Sequence, residues 1–361
     1  MILKMMAAML LTGHGGLDML ECPNMSTPTP EKGEVLIKVG ACGVNNTDIN
    51  TRKAWYSKTN KTSLGEGVES GFENFDNADG TCGSGAIQFP VIQGADAVGG
   101  IVAVGAGVSN SRIGERVIAD PWLLPHGGWL NAEEAGYFGS ELNGGVAEYT
   151  KVRTENAIKV TSDLSNAEVA TFPCAYTTAE NLVQRTAPHL GETVVISGVS
   201  GGVGSAAITL CRLRGCSVIA IVSSSKAERL LELGAAHVTD RNTADLETEI
   251  RRLDGSPVEI ALDVVCCDGF MALVNALRQG GRYSTSGRIA GQFTEFDLRQ
   301  LVYKDLQLTG ATICPPGTMQ RVVDMIETGA LKPLLAETYP LKELAAAREA
   351  FIAKNTSATS W

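Results

Sequence analysis

Apolar and polar positions change rhythm once along the 361 residues of the chain. Up to residue 160, short apolar or alternating runs recur at 35–39, 99–104, 116–119 and 145–152. Glycine turns such as Gly105-Ala106-Gly107 and Asn143-Gly144-Gly145 separate them, a punctuation that predicts a barrel or sandwich of short strands. From Ala167 onward the pattern alternates between strand and helix. Strands are expected at 193–197, 218–222, 237–239, 260–265 and 282–286, with helices between them, among them 226–233 and 270–277. That alternation predicts an α/β, doubly wound parallel sheet. Two amphipathic helices, 319–328 and 341–353, follow Pro315-Pro316. Residues 54–89 fit neither rhythm. They are rich in Gly, Ser, Asn, Asp and Thr, and predict a partly ordered flap anchored by Trp55, Tyr56, Phe72 and Phe75.

Composition narrows the function classes. Thirty basic against forty acidic residues give a net charge of −10, which disfavours a nucleic-acid or anionic-membrane surface. No run is long enough to cross a bilayer. The apolar start MILKMMAAMLL lacks a small-residue cleavage site and reads as a buried strand before a turn at 12–16. Nine cysteines without C-x-x-C spacing read as free thiols in a reducing cytoplasm. The four histidines form no spacing cluster, so no metal site is expected from them.

The strongest chemical signal is TVVISGVSGGVGSAAITLCRL, from Thr193. A β-branched run meets a glycine cluster (Gly198, Gly201, Gly202, Gly204) and then a helical pattern, the geometry that aims backbone N–H groups at a pyrophosphate. Ser200, Gly201, Gly202, Val203 and Gly204 are the candidate phosphate cradle. The strict fingerprint would have glycine at Val199, and a glycine corner built only for packing is the alternative. An enzyme of NAD places a carboxylate after the second strand, about twenty residues on. Here Ser223, Ser224, Ser225 and Lys226 stand instead, with no acid before Glu228. Hydroxyls and an ammonium suit the 2′-phosphate of NADP(H), with Arg241 as a second cation; helix capping by the serines is compatible with that role. Val265 and Ser286, at strand ends facing the point where strand order reverses, are candidate ring contacts.

Beyond these motifs the chain resembles the medium-chain dehydrogenase/reductase superfamily over nearly its whole length. The landmarks are GEVLIKVGACGVNNTDIN from Gly33, FPVIQGADAVGGIVAVGAGV from Phe89, GERVIA from Gly114, GGVAEYTKV from Gly144, SGVSGGVG from Ser197 and LRQLVYKDLQLTGAT from Leu298. The resemblance implies a GroES-like β-domain at 1–165, with 54–89 as an inserted flap and 315–361 completing it. It also implies a Rossmann NADP-binding domain at 166–314. Zinc enzymes of this superfamily carry Cys where Asn45 stands and Gly-His-Glu where Gly94-Ala95-Asp96 stands; of their catalytic ligands only Cys174 remains. A catalytic zinc needs about three N or S ligands, and no cysteine between Cys82 and Cys174 could build a structural lobe. The chain is therefore expected to be free of zinc, near the quinone oxidoreductase-like and enoyl reductase-like branch that shares Gly43, Val44, Asn45 and Asp48. It departs from that branch in the long flap and in the ending NTSATSW, which lacks the usual closing strand.

By that resemblance Asn45 and Thr47 lie near the nicotinamide, where losing one donor to developing charge typically costs about 2.7–4 kcal/mol; a turn cap for Asn45 and plain strand surface for Thr47 are the alternatives. Thr47 matches a hydroxyl that relays protons in the zinc enzymes. Asp48 is read as a partner for an arginine or backbone, Tyr56 as a further proton donor or a flap anchor, Asp96 as structural. Cys174 and Thr178 are placed beside the nicotinamide, Cys174 as a buried remnant. The expected function is an NADPH-dependent reductase of an activated C=C or C=O in a small apolar substrate, a homodimer through the strand near 306–309. An alcohol or aldehyde dehydrogenase, and a catalytically silent NADPH-binding protein, are the alternatives.

Overall fold

The computed structural model describes residues 2–57, 87–125, 134–291, 293–353 and 359–360. These divide into two compact units, with the boundaries between Cys174 and Ala175 and between Cys314 and Pro315. Most of the expected flap, including Phe72 and Phe75, lies outside the described residues.

The first unit is built on one long strand, β1 (Glu34–Val44), followed directly by the short helix α1 (Asn46–Arg52). Strands β2 (Asp96–Val104), β3 (Arg116–Ala119), β4 (Tyr149–Arg153) and β5 (Ala157–Lys159) complete its main antiparallel sheet. β1 pairs with both β2 and β4, β2 with β3, and β3 with β5. Alternation along β1 separates two cores. Val35 and Ile37 join Ile101, Val117 and Phe138 on one side, whereas Leu36 joins Met6, Tyr149 and Leu344 on the other. β2 can lie flat on β1 only because Gly99 has no side chain; a Cβ there would stand 2.1 Å from the Lys38 carbonyl oxygen. The predicted strand at 145–152 is shorter than its apolar run. Residues 144–146 instead donate their N–H groups to the carbonyls of Ile92, Gly94 and Gln93, clamping the loop before β2.

The second unit starts within helix α2 (Pro173–Thr186). Its strands are β6 (Thr193–Ile196), β7 (Ser217–Val222), β8 (His237–Asp240), β9 (Val258–Asp263), β10 (Leu277–Thr285) and β11 (Gln307–Gly310). Helix α3 (Gly202–Leu213) leaves the glycine turn after β6, and α4 (Leu298–Tyr303) precedes β11. All six strands are parallel, in the order β8-β7-β6-β9-β10-β11. That order reverses between β6 and β9, the doubly wound arrangement whose crevice binds dinucleotides. Val195, Ile219, Ile250, Phe270 and Tyr283 fill one core of this unit.

The chain then returns to the first unit. The expected last helix is a 3-10 turn (Leu341–Glu343) running into α5 (Leu344–Ile352). The expectation that no strand closes the chain is corrected. Thr359–Ser360 pairs antiparallel with the end of β1 and parallel with Glu337–Thr338, extending the sheet despite its polar composition. Backbone pairing needs no apolar side chains, so the hydrophobic pattern carries no trace of this strand. Among the described residues no helix is long and apolar enough to cross a membrane.

Candidate active site

At the junction of β1 and α1 the chain turns sharply, and Asn45 is the N-cap residue. The Asp48 carboxylate reaches back to accept the Asn45 N–H (2.9 Å) and also accepts the Gly94 N–H (3.1 Å). Gln93 donates to the Asp48 carbonyl at 3.0 Å, so the clamped loop before β2 is tied to α1 from two sides. Gly94 has φ 97°, and a Cβ there would meet Val146 at 2.4 Å, which forces glycine at this tie.

Next to this tie four of the predicted residues meet two others. Asp96, fully buried at the start of β2, accepts from the Asn45 side-chain amide through Oδ2 and from the Cys174 N–H (2.6 Å) through Oδ1. Cys174 Sγ lies 3.8 Å from Thr47 Oγ1 and 3.3 Å from the Tyr137 hydroxyl, which donates to it. Thr47, Asp48, Thr51, Ala95 and Tyr137 line a small cleft. Tyr137 was invisible to sequence reasoning: the aromatic of Gly136-Tyr137 sits after a segment without periodicity, and only the fold brings it to Cys174. Tyr56 does not line the cleft; it is half-buried with its ring edge-on to Trp55 at 5.3 Å.

The electrostatics follow from burial. Desolvation pushes the Asp96 carboxyl up to about 7, with the Asp48 charge adding to it and the Cys174 N–H and Asn45 amide opposing. Burial also raises Asp48, against the pull of Arg348 and of its two backbone donors. The Cys174 thiol is raised by burial first and by the Asp96 charge second, so it is a neutral S–H at physiological pH. Arg348, on α5, is fully buried, and among the described residues none of its guanidinium nitrogens has a hydrogen-bond partner. Burial lowers its pKa while Asp48 raises it, making Arg348 the long-range counter-charge to Asp48.

In the second unit the glycine turn caps α3 without any side chain. Gly201, the N-cap, has no side chain to cap the first N–H groups of α3, although its carbonyl accepts the Ser205 N–H at 3.0 Å. Ser200 is exposed, while Gly201, Gly202 and Val203 are half-buried. A Cβ on Gly201 would meet only the Gly198 carbonyl, at 3.6 Å, whereas one on Gly204 would sit 2.5 Å from that oxygen and 2.6 Å from Val199 Cα. These contacts leave open space at the first and tight packing at the second. Val264 and Val265 flank Gly198 at the end of β9, and Ser286 follows β10 next to Gly287, whose own close neighbour is Val264. Thr178 is half-buried on α2. After β7, Ser223 is half-buried and Ser224, Lys226 and Arg241 are exposed. Lys226 and Arg241 form no ion pair among the described residues. One acid here was overlooked. Asp240 ends β8 in register with Val222, and its carboxylate accepts the N–H groups of Ser224 (3.2 Å) and Asn242 (2.8 Å). Counting forward from the glycine turn misses it because it belongs to the neighbouring strand.

A six-stranded dinucleotide sheet and a β-domain carrying a cleft with buried acids define a two-domain nicotinamide-binding architecture. Residues 31–162 match the model of the alcohol dehydrogenase GroES-like domain, and residues 202–328 that of the zinc-binding dehydrogenases. A putative alcohol dehydrogenase from Sinorhizobium meliloti superposes with a TM-score of 0.86 at 39% identity, covering 99% of this chain and 97% of that one. Human quinone oxidoreductase is 25% identical over 97% of this chain and 94% of its own length. The mouse synaptic vesicle membrane protein VAT-1 homolog-like is 28% identical over 81% of this chain, which spans only 59% of that relative's length. The chain belongs to the medium-chain dehydrogenase/reductase superfamily.

The zinc implied by one of those family descriptions does not fit the residues here. Ala95 has no donor atom, Asn45 offers a neutral amide already committed to Asp96, and both oxygens of Asp96 are taken. Cys174 alone is left, and among the described residues no group of three His, Cys, Asp or Glu side chains could hold a metal ion. The open helix N-terminus and glycine cradle do fit a dinucleotide.

Proposed function

We propose that this protein is a zinc-independent, NADPH-dependent reductase of an activated C=C or C=O bond in a small apolar substrate. The observation that carries the reading is the substitution of hydrogen-bond donors for metal ligands around Cys174. When bound, the nicotinamide supplies the hydride. The Thr47 hydroxyl, on the cleft wall, is placed to receive the substrate oxygen as it gains negative charge. Buried Asp48 and Asp96 hold Asn45 and the start of α1 in place, so that this donor is fixed before substrate arrives. Ser200, Gly201, Gly202, Val203 and Gly204 would hold the pyrophosphate, and Ser223, Ser224, Lys226 and Arg241 the 2′-phosphate. Asp240 does not oppose that choice decisively, because its carboxylate is already engaged by two backbone N–H groups.

The protein is also proposed to act as a cytoplasmic homodimer. Among the described residues β11 pairs only with β10, leaving one edge of the sheet open, and Leu298, Val302 and Tyr303 on α4 are 64%, 63% and 74% exposed. An unpaired edge flanked by apolar side chains fits a second copy of the same edge. A second reading is an alcohol or aldehyde dehydrogenase, of which the Sinorhizobium relative's description favours the alcohol dehydrogenase.

The test is NADPH and NADH consumption against enones, quinones and aldehydes, with the metal content of the purified protein measured alongside. The reading expects turnover of enones or quinones with NADPH and no bound zinc. Lys226→Ala should weaken NADPH about ten- to hundredfold, the size of one charge-assisted contact, and leave NADH unchanged. Stoichiometric zinc, or equal losses for both cofactors, would overturn it; turnover confined to aldehydes would move it to the second reading.

A further inference from the structure

Tyr137 is 5% exposed, and its ring stands edge-on to Trp122 with centroids 5.0 Å apart. That contact fixes the ring and sends the hydroxyl to Cys174 Sγ at 3.3 Å. The same sulfur lies 3.8 Å from Thr47 Oγ1. Cys174 is itself held in place by its N–H bond to Asp96. Thr47 and Tyr137 both line the cleft. Hydroxyl, thiol and phenol each donate and accept, so the three form an unbroken path for a proton with both ends at the cleft.

We propose that Tyr137, Cys174 and Thr47 form a proton relay that delivers the proton completing reduction of the substrate. The inference rests on the reductive reading above. Hydride forms the new C–H bond at the electrophilic carbon, and the displaced π pair moves to the substrate oxygen. Thr47 gives its hydroxyl proton to that oxygen and takes the thiol proton of Cys174, while Cys174 takes the phenolic proton of Tyr137. The Tyr137 phenolate then recovers a proton from water in the cleft. No redox change occurs in the relay, and each donor is restored within one turnover. The 3.8 Å separation shortens when substrate seats, as catalytic hydrogen bonds commonly do.

Single-turnover reduction by bound NADPH, in H2O and D2O, tests the relay. Tyr137→Phe keeps the packing against Trp122 and is expected to slow the step about 100-fold and to change its solvent isotope effect, with NADPH affinity unchanged. Cys174→Ala should slow the step and change its isotope effect likewise, and the double variant should be no slower than either single one, since one path is cut twice. Cys174→Ser, which again both donates and accepts, should recover the rate to within about tenfold. Independently of turnover, the S–H stretching band lost in Cys174→Ser should be shifted in Tyr137→Phe. A Tyr137→Phe enzyme with the wild-type rate, isotope effect and S–H band overturns the relay and leaves the reductive reading intact. A wild-type protein that reduces nothing in the panel overturns both.

Discussion

Replacing Asp96 by Asn isolates the most perturbed carboxyl of the site. Asp96 is fully buried, and an ordinary carboxyl pKa of 3.8 is pushed up to about 7, by desolvation above all. At about 1.36 kcal/mol per unit, that displacement corresponds to about 4 kcal/mol. The sign runs against intuition about buried acids. In the unfolded chain the group loses its proton near 3.8, while the folded protein keeps it to about 7. Folding therefore takes up a proton between those values, and the stability contribution falls as pH rises through the window. Below it the group costs nothing; above it the full penalty is present. Asn keeps the acceptor for the Cys174 N–H, and Asn45 can rotate its amide to present oxygen to the new NH2 group. Urea unfolding of both proteins between pH 4 and pH 8 gives the measurement. The difference in stability, variant minus wild type, should move in the variant's favour by about 4 kcal/mol across that range and level off above it. Groups common to both proteins cancel. Parallel pH curves would show that Asp96 ionises as an ordinary carboxyl, and the account of a protonated acid beside Cys174 would be wrong.

Two glycines of the cofactor turn should behave differently. Gly201→Ala has room within the protein, so its fold should survive while NADPH titration shows weakened binding; Gly204→Ala drives a Cβ into the Gly198 carbonyl and Val199 and should lose about 1–3 kcal/mol of stability as well. Equal melting temperatures for the two variants would contradict this division. Val302→Glu places a charge on the exposed apolar face of α4 and should convert a dimer to a monomer in sedimentation equilibrium; a wild-type protein already monomeric at micromolar concentration would remove the proposed edge pairing.

The parallel unit was readable because its signals are local. Val194, Val195 and Ile196 form a buried run with no polar face, as a strand covered on both sides must, and the glycine cluster follows at once. The first unit was readable as β structure, but its limits were not. Residues 144–146 look like strand and serve as a clamp, because their N–H groups are taken by a loop distant in sequence. The same holds for the site. Asn45, Thr47 and Asp48 come from one turn and were found together. Tyr137 and Arg348 reach them only through long-range packing, and no spacing rule connects either to the others. Asp240 escaped for a topological reason: parallel pairing sets the end of β8 beside the end of β7, although the two are far apart along the chain.

Charge balance explains why donors can stand where the superfamily's zinc enzymes place a cation. Two carboxyls and a thiol are buried around the start of α1, with Arg348 as the buried cation opposing them. Burial pushes the Asp96 carboxyl up to about 7 and raises the Cys174 thiol, so less negative charge is held around the start of α1 than two carboxylates and a thiolate would bring, while Arg348 opposes Asp48. Seating a divalent ion would require the thiol and Asp96 to ionise and would break the bonds that Asp96 makes to Asn45 and Cys174. The Thr47 hydroxyl shares the cleft wall with Asp48, whose charge Arg348 opposes. The same burial that makes Asp96 costly to the fold holds its carboxyl at about 7, well above the ordinary carboxylate range, so it gives up its proton far less readily than an exposed acid.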